Sequence, residues 1–435
     1  MKYRSTRGLA PLVSADQALR AGVAPDGGLY LPETLPQFEP GDFAADKNLG
    51  TLANRLLAPF FAGSTLAEPL AGICASAFDF PLPLVTPDAG EPGLHVLELF
   101  HGPTGAFKDF GARFLFRAFD AIAKPDDPIT VLAATSGDTG GAVGCAAEGA
   151  RHARAVILFP KGRISAFQER QLCCWREPVK ALRVAGDFDA CQRLVKTAFA
   201  DAQLSARHGL TSANSISIGR LLPQMAYWAQ ASLDVYGRTG IKPGLIIPTG
   251  NLGNGFAAVL ARACGLPIGP IILATNANAT LIDWHQSGQY SARQSIATLA
   301  NAMDVGAPSN FERLSGFGDG LVEDVVRVDD DAIRQRIAAT WRRSGYIACP
   351  HTATALEAFA RLPANQRRER PWIAAATAHP YKFADVVEPL IGEPLTAPPG
   401  LAEVLQRPVQ LTDIEAIITD LGDALTAQRA APVEG

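Results

Sequence analysis

Short apolar segments alternate with helical segments along most of the chain. Runs of strand length occur at residues 94–100, 129–134, 155–159, 181–184, 245–247, 271–274 and 372–376. Strands that are spaced by helices predict parallel βαβ units, with helices on both faces of the sheets. Ligands bind in the crevice at the carboxyl ends of such strands. The sequence therefore predicts an α/β fold whose site lies on the loops that follow the strands.

Length and composition set broad limits on the class of protein. The chain has 435 residues, more than one ordinary core holds, so two or more lobes are expected. Hydrophobic residues at 48% and charged residues at 19% exclude general disorder. The net charge of −4 argues against nucleic acid as a partner. No apolar run reaches membrane-span length and the N-terminus lacks an apolar signal core, so no membrane partner and a cytoplasmic location are expected.

The cysteines and histidines give no metal signature. Seven cysteines, an odd number without metal spacing, fit a reducing compartment, and we interpret them as thiols. Five histidines also show no metal spacing with carboxylates or cysteines: His95, His152, His208, His285 and His351. No metal is expected.

Lys108 is the candidate for the chemistry. It lies in the sequence His-Gly-Pro-Thr-Gly-Ala-Phe-Lys-Asp at 101–109, after a predicted strand and at the start of a helix with one apolar face. A helix N-terminus and packed aromatic rings both lower the pKa of a lysine toward the neutral amine. That form attacks a carbonyl carbon. The alternative is a solvated first-turn lysine that pairs with Asp109.

Two glycine-rich turns favour the catalytic interpretation of the lysine. The first reads Thr-Ser-Gly-Asp-Thr-Gly-Gly at 135–141, and the second reads Pro-Thr-Gly-Asn-Leu-Gly-Asn-Gly at 248–255. Each lies between a strand and a helix, where backbone N–H groups suit a carboxylate or a phosphate. Neither fits a P-loop or the dinucleotide fingerprint, which argues against nucleoside triphosphates and NAD. Either loop alone could be a simple turn in which glycine supplies a positive φ.

Together these segments resemble the threonine synthase family, pyridoxal-phosphate enzymes of the fold type II class that also contains the tryptophan synthase β chain. The resemblance covers nearly the whole chain. Its motifs lie at 3–7, 24–32, 101–114, 135–140, 159–163, 213–220, 248–255, 302–305 and 377–383. One departure is Gly105, where the family often has a larger apolar residue.

The resemblance implies two parallel-sheet α/β lobes and an N-terminal region, with pyridoxal phosphate in the cleft between the lobes. We expect the N-terminal region at 1–92 and a lobe at 93–240 that carries Lys108 and a substrate-carboxylate loop. A second lobe at 241–435 would carry the cofactor-phosphate loop and end in a loose tail. A monomer or a homodimer is expected.

The resemblance also implies an activity, the conversion of O-phospho-L-homoserine and water to L-threonine and phosphate by γ-elimination and β-addition of water. Lys108 would hold the cofactor covalently, and its released amine would remove the Cα proton. Two other hypotheses stay open. One is a related pyridoxal-phosphate lyase or dehydratase that acts on a hydroxy or O-phospho amino acid, and the other is a catalytically silent cofactor-binding protein.

Site roles are carried over from the resemblance residue by residue. Residues that would hold the cofactor phosphate through backbone N–H groups are Gly250, Asn251, Leu252, Gly253 and Asn254. Thr377 would meet the pyridine nitrogen. Asp138 would stand beside the phenolic oxygen, where many enzymes of the class have Asn. Two anions there would repel each other, so the sequence leaves the protonation state and the partner of Asp138 open.

The substrate-binding candidates fall into two groups. Those for the substrate carboxylate are Ser136, Gly137 and Thr139, which could otherwise simply cap a helix. Those for the substrate phosphate are Lys161, Arg163, Asn214, Ser215 and Arg220. His101 and His379 border the site motifs, as proton relays or as structural histidines.

Overall fold

The computed structural model describes residues 1–46, 48–91, 93–135, 137–318 and 320–427. Its strands are β1 (Lys2–Ser5), β2 (Val13–Ser14), β3 (Tyr30–Pro32), β4 (Leu84–Val85), β5 (Leu94–Glu98), β6 (Ile129–Ala134), β7 (Ala153–Pro160), β8 (Val179–Ala185), β9 (Leu210–Thr211), β10 (Gly244–Pro248), β11 (Ile271–Thr275), β12 (Asp324–Arg327), β13 (Trp372–Ala376) and β14 (Thr412–Glu415). Within the described ranges they form two large sheets and one small antiparallel sheet of order β2-β1-β3.

The helices lie between these strands. They are α1 (Ala15–Ala21), α2 (Leu49–Phe61), α3 (Leu70–Ala77), α4 (Lys108–Ile122), α5 (Asp138–Ala147), α6 (Ala166–Cys173), α7 (Phe188–Ala200), α8 (Ala202–His208), α9 (Ile218–Leu221), α10 (Met225–Thr239), α11 (Gly253–Ala263), α12 (Thr280–Ser287), α13 (Phe311–Phe317), α14 (Asp330–Ser344), α15 (Pro350–Arg361), α16 (Ala364–Glu369), α17 (Ala384–Ile391), α18 (Pro399–Gln406) and α19 (Ile418–Thr426). Short 3-10 helices cover Pro40–Phe43, Leu222–Gln224, Asn301–Met303 and Pro380–Phe383. In the described part of the chain, no helix has both the length and the apolar character that a membrane crossing needs.

The first large sheet has the order β12-β11-β10-β13-β5-β4. Its strands are parallel except for β4, which pairs antiparallel with β5 at the edge. Every residue of β10, β11 and β13 is buried, because these strands are apolar apart from Thr275 at the end of β11 and helices cover both faces of the sheet. Since β10, β13 and β5 are neighbours, the loops that follow them open at one edge of the sheet.

The second large sheet has the order β14-β8-β7-β6-β9 and is parallel throughout. The two large sheets exchange strands along the sequence. β5 joins the first sheet although β6 to β9 follow it, and β14 joins the second sheet although β10 to β13 precede it. The chain therefore crosses between the sheets at both ends of the α/β region.

All seven predicted strands are confirmed, as β5, β6, β7, β8, β10, β11 and β13. The strands at 129–134 and 372–376 have the predicted bounds, whereas the strand predicted at 94–100 ends at Glu98. The strands that the pattern missed are short or lie at sheet edges, where few residues are apolar. The seven cysteines are free thiols.

Helix α4 is fixed by aromatic packing against the N-terminal part of the chain. Phe110 and Phe114 are fully buried on one face of the helix. The ring of Phe114 lies 5.6 Å from that of Phe61 and 6.3 Å from that of Phe78. This packing holds the first turn of α4, which Lys108 begins, against a rigid support.

Candidate active site

The loop that precedes Lys108 pairs with the loop that follows β13. Ala106 and Ala378 form an isolated antiparallel bridge. The Phe107 N–H donates to the Thr377 carbonyl oxygen at 2.9 Å. Lys108 and Thr377, separated widely in sequence, are therefore held side by side at the edge of the first sheet.

Gly105 makes this close approach possible. Its φ is +67°, in the left-handed region that favours glycine. Its carbonyl oxygen accepts from the His379 N–H at 2.9 Å, and a Cβ added at Gly105 would lie 3.4 Å from Lys382 Cδ. This conformation favours glycine over a residue with a side chain at position 105.

The Lys108 amine lies among protein atoms, although its residue is partly accessible to solvent. Burial lowers its pKa from the ordinary value, Asp138 opposes this change, and the cations of Arg220 and Lys382 reinforce it. The predicted direction of the shift is confirmed, with burial as the main cause. Among the described residues, the amine has no hydrogen-bond or ion-pair partner.

Asp138 is an anion paired with Lys382. The Lys382 ammonium lies 2.8 Å from Asp138 Oδ1, and it donates to Thr104 O at 2.8 Å and to Gln171 Oε1 at 2.9 Å. Burial alone would raise the pKa of Asp138, but Lys382 and Lys108 hold that pKa at about 2. This answers the question that the sequence left open. The sequence signalled no role for Lys382, because a lone lysine after a turn is usually solvated.

Asp109 stabilises the turn before Lys108 and does not pair with the lysine. Its Oδ2 accepts from Thr104 N at 2.9 Å and its Oδ1 accepts from Thr104 Oγ1 at 2.7 Å. Burial raises the pKa of Asp109 to about 6 in spite of these hydrogen bonds. The interpretation of Lys108 as a solvated partner of Asp109 therefore does not hold.

The second glycine loop is closed by the side chain of Asn254. Asn254 Oδ1 accepts from Thr249 Oγ1 at 2.7 Å and from Gly255 N at 2.9 Å, while Nδ2 donates to Pro248 O at 2.9 Å. Within the described chain, the N–H groups of residues 250–254 donate to no protein acceptor. They surround the start of α11, where the helix dipole also favours an anion.

Two backbone features give this loop its shape. Leu252 has a φ of 63°, a left-handed conformation that costs a residue with a side chain about 1 to 2 kcal/mol. A Cβ on Gly250 would lie only 2.7 Å from Met303 Cα. A strained residue and a close approach of two backbones persist where the surroundings impose them, often at ligand sites.

Ser215 and Asn251 are brought together beside this loop. Asn251 Nδ2 donates to Ser215 Oγ, and Asn310 Nδ2 donates to Asn251 O at 2.9 Å and to Ser215 O at 3.3 Å. Asn214, the preceding residue, is exposed.

Arg220 lies inside the protein close to Lys108. It is 4% exposed, and its Nη1 donates to Ala213 O at 2.5 Å. Its Nε is buried without a partner among the described residues. Burial lowers the pKa of Arg220 to about 10, with Asp109 acting in the opposite direction.

The first glycine loop is described except for Ser136, which lies outside the described residues. Gly137 and Thr139 are half-buried at the start of α5. Thr135 Oγ1 accepts from Gly140 N at 3.1 Å and so fixes the turn.

Lys161 and Arg163 follow β7 at the carboxyl edge of the second sheet. Both are exposed. Lys161 Nζ lies 3.4 Å from Asp413 Oδ1, at a surface where both side chains are about half exposed. The structure therefore places Lys161 in a surface ion pair rather than beside the Lys108 amine.

His351 belongs to the electrostatic surroundings of the site, although the sequence gave it no role. It is 2% exposed, and its Nε2 accepts from Ala302 N at 3.1 Å. Burial lowers its pKa to about 4, which Asp138 opposes and both Lys108 and Lys382 reinforce. It is a neutral acceptor inside the site.

The two histidines that border the site motifs have structural partners. His379 Nδ1 accepts from Tyr381 N at 3.2 Å, and burial lowers the pKa of His379 to about 4. His101 Nε2 lies 2.7 Å from Glu98 Oε2.

A lysine amine with a lowered pKa and a helix start with unpaired N–H groups, both on loops of the first sheet, fit a pyridoxal-phosphate-dependent enzyme of fold type II. Residues 80–376 match the model of the pyridoxal-phosphate dependent enzyme family. Residues 2–78 match the threonine synthase N terminus, and residues 352–423 match the threonine synthase C-terminal region. The chain belongs to the threonine synthase family.

Known members of the family match along nearly the whole chain. Threonine synthase of Haemophilus influenzae is 37% identical over 408 residues, which cover 91% of this chain and 93% of that protein. Threonine synthase of Escherichia coli K12 is 38% identical over 403 residues, which cover 91% and 92%. The crystal structure of pyridoxal-phosphate-bound threonine synthase from Brucella melitensis has a TM-score of 0.89 at 34% identity, and the match covers 98% of each chain.

The residues present fit this cofactor, which carries an aldehyde and a phosphate. An aldehyde needs a neutral amine, and Lys108 supplies an amine with a lowered pKa and no described partner. A phosphate needs convergent N–H donors, and residues 250–254 supply five that no described acceptor occupies. Both requirements are met by loops of one sheet.

Proposed function

We propose that the enzyme converts O-phospho-L-homoserine and water to L-threonine and phosphate, with pyridoxal phosphate held by Lys108. The observation that supports the proposal is the state of the Lys108 amine. Burial lowers its pKa and so favours the neutral form, and the amine has no hydrogen-bond or ion-pair partner among the described residues. A neutral amine in a protected site can hold the cofactor and later serve as a base.

Three groups of the first sheet would hold the cofactor. Lys108 would bind it covalently, and Gly250, Asn251, Leu252, Gly253 and Asn254 would hold its phosphate through N–H groups. Thr377 would meet the ring nitrogen. This role is supported by the Thr377 hydroxyl, which has no hydrogen-bond partner among the described residues, while the Thr377 carbonyl oxygen accepts from the Phe107 N–H. Asp138 would stand near the phenolic oxygen, with Lys382 balancing its charge.

The bound cofactor withdraws electrons from Cα and Cβ of the substrate, so that protons at these carbons become acidic. The Lys108 amine would accept the proton from Cα and then act again at Cβ and Cγ, because one base inside a closed site can serve several steps. It returns each proton to the substrate or to solvent. Arg220 and Lys382 favour the neutral form of this base by repelling a further positive charge.

The substrate would be oriented by its two anionic groups. Ser136, Gly137 and Thr139 would receive the carboxylate, and of these Gly137 and Thr139 lie at the start of α5. Lys161, Arg163, Asn214, Ser215 and Arg220 would receive the phosphate. For Arg220 the proposal is supported by a buried guanidinium near Lys108, and for Ser215 by its contact with Asn251.

The chain organisation is proposed as before, with an N-terminal region at 1–92 and lobes at 93–240 and 241–435. In this division β5 and β14 each join the sheet of the other lobe, so each large sheet contains one strand from the other lobe. A cytoplasmic monomer or homodimer is proposed.

The test is product analysis with O-phosphohomoserine as the substrate. We expect threonine and inorganic phosphate in equal amounts, with one solvent oxygen incorporated at Cβ when the reaction is run in H₂¹⁸O. Formation of 2-oxobutyrate as the main product, or equal turnover of homoserine without its phosphate, would contradict the proposal and favour a dehydratase.

A further inference from the structure

A fully buried arginine lies behind the second glycine loop. Arg313 in α13 is 0% exposed, and it makes all its hydrogen bonds to neutral acceptors. Its Nε and Nη2 donate to Tyr30 O at 3.1 and 3.0 Å, Nη2 also donates to Ile216 O at 2.7 Å, and Nη1 donates to Asn310 Oδ1 at 2.6 Å. In the described chain no carboxylate lies within ion-pair distance of this guanidinium.

Such a charge is costly to bury. Carbonyl dipoles compensate a cation only in part, and buried charges are normally paired with an opposite charge. The adjacent Glu312 is turned to Arg7 and Thr6 instead, at distances of 3.1 and 2.5 Å. The protein therefore maintains next to the loop a buried cation that has no direct ion pair among the described residues, and Glu312 acts on it only at a distance.

Asn310 connects this cation to the loop. It is 0% exposed, and while its Oδ1 accepts from Arg313, its Nδ2 donates to Asn251 O at 2.9 Å. In a trans peptide the carbonyl and the next N–H point in opposite directions. By holding the Asn251 carbonyl, Asn310 therefore aims the Leu252 N–H away from itself, and its own amide orientation is fixed by Arg313.

We propose that Arg313 is the buried counter-charge of the cofactor phosphate and that Asn310 aligns the loop for it, an inference that rests on the proposed phosphate role of residues 250–254. The loop itself contains no basic side chain, so its N–H groups alone face a doubly charged anion. A cation in a medium of low dielectric constant attracts such an anion without touching it. Both residues are positioning residues, since neither is placed against the reacting atoms.

The same contacts give the N-terminal region a part in cofactor binding. Tyr30 in β3 offers its carbonyl to two nitrogen atoms of Arg313. The small antiparallel sheet thereby holds the guanidinium from one side, while Ile216 holds it from the other.

The experiment separates phosphate recognition from general stability. The full-length protein is freed of its cofactor and titrated with pyridoxal phosphate and, separately, with pyridoxal, which lacks the phosphate, and binding is followed by absorbance. We expect Arg313→Met to weaken pyridoxal phosphate binding by at least about ten-fold, because the attraction between a buried cation and the phosphate is lost. Pyridoxal binding should change by less than about three-fold, since the phosphate is the group that Arg313 attracts.

Asn310→Asp provides a second, independent variant that retains the fold. Its carboxylate can pair with Arg313, which should offset the loss of the Nδ2 hydrogen bonds to Asn251 O and Ser215 O, so that the variant still folds. The same carboxylate repels the Asn251 carbonyl and the cofactor phosphate, so pyridoxal phosphate binding should fall selectively. Arg154→Met in β7 is the control, because Arg154 donates to a side chain, Thr130 Oγ1 at 2.7 Å, in the other sheet. It should lower stability without changing the preference for the phosphorylated ligand.

The outcomes distinguish the two levels of inference. If both ligands lose affinity equally in Arg313→Met and Asn310→Asp, the two residues are structural and the proposed counter-charge is wrong. If Arg313→Met does not fold, Asn310→Asp decides alone by the same criterion. If the native protein itself binds pyridoxal as tightly as pyridoxal phosphate, the phosphate role of residues 250–254 fails, and the counter-charge fails with it.

Discussion

The Lys382 ammonium and the Asp138 carboxylate lie 2.8 Å apart and belong to loops of different sheets. Asp138 begins α5 after a strand of the second sheet, whereas Lys382 follows β13 of the first sheet. The Asp138 side chain is 13% exposed and the Lys382 side chain is 2% exposed. This ion pair therefore joins the two halves of the active site. The Lys382 ammonium also donates to Thr104 O, which connects the pair to the turn before Lys108.

The first prediction concerns this pair. Lys382→Met should leave Asp138 as an unpaired buried anion and lower the free energy of unfolding by about 3 to 5 kcal/mol. The double variant Lys382→Met/Asp138→Asn should recover most of this loss, because the amide carries no charge. Urea unfolding of the native protein, the single variant and the double variant measures both effects. Arg334→Met, which removes an exposed ion pair with Asp331, is the control and should change little. Equal losses in single and double variants would mean that the pair is not coupled.

The second prediction concerns the protonation of Lys108. Its amine is neutral above its pKa, and this pKa is lowered, so its reaction with acetic anhydride should begin at lower pH than that of a reference lysine peptide. Asp138 raises the pKa of Lys108, so Asp138→Asn should shift the midpoint to still lower pH. Mass spectrometry of the cofactor-free protein after short pulses across the pH range measures both midpoints. A midpoint for Lys108 at or above that of the peptide would refute the assignment.

The sequence alone predicts which strands are parallel and which loops lie at the site. Wholly apolar runs such as β10 and β13 need burial on both faces, which specifies parallel strands and places the loops after them at one edge. Lys108 and the glycine turns belong to those loops. Their positions at this edge therefore depend on local patterns that a single sequence contains.

The partners of these residues could not be predicted in the same way. Lys382, His351 and Arg313 are polar residues whose burial arises only from tertiary packing. The local sequence around Lys382 does not distinguish a buried lysine from a solvated one, because both satisfy the same helix and turn preferences. The exchange of β5 and β14 between the sheets likewise depends on long-range pairing rather than on strand propensity.

The third prediction tests Thr377. Thr377→Val keeps the shape of the side chain and removes its hydroxyl, so the pyridine nitrogen would lose its partner at a cost of about 1 to 3 kcal/mol in cofactor binding. Titration with pyridoxal phosphate measures the loss. Thr354→Val is the matched control, since the Thr354 hydroxyl only donates to Pro350 O at 2.9 Å within α15. If Thr377→Val and Thr354→Val bind the cofactor equally well, another residue meets the nitrogen.

The fourth prediction tests the close approach at Gly250. A Cβ there would lie 2.7 Å from Met303 Cα, a backbone atom that cannot rotate away, so Gly250→Ala should displace the loop and weaken cofactor binding. Gly237→Ala is the control within α10, where a Cβ would meet nothing within 4 Å. It should stabilise the protein by up to about 1 kcal/mol, as alanine does in a helix interior, and leave cofactor affinity unchanged. Similar cofactor affinities for both variants would show that the loop tolerates a side chain.

The last prediction ranks the candidates for the substrate phosphate. Arg220 is 4% exposed and lies near Lys108, whereas Lys161 is exposed and already pairs with Asp413. Water screens an exposed charge, so a buried guanidinium contributes more to binding a phosphate. Arg220→Met should lower kcat/KM for O-phosphohomoserine by about ten-fold to a hundred-fold, the range of one or two charge-assisted hydrogen bonds. Lys161→Ala and Arg163→Ala should have smaller effects.

Homoserine, which lacks the phosphate, identifies the cause of such a loss. If Arg220 binds the phosphate, Arg220→Met should turn over homoserine no more slowly than the native enzyme does. Homoserine has no phosphate, so neither enzyme can make the contact between Arg220 and the phosphate with this substrate. Inorganic phosphate should inhibit the native enzyme competitively and the variant less strongly. An equal loss on both substrates would show that Arg220 supports the fold around Lys108 instead, which its contact with Ala213 also allows. The phosphate would then have to be bound at the exposed edge by Lys161 and Arg163.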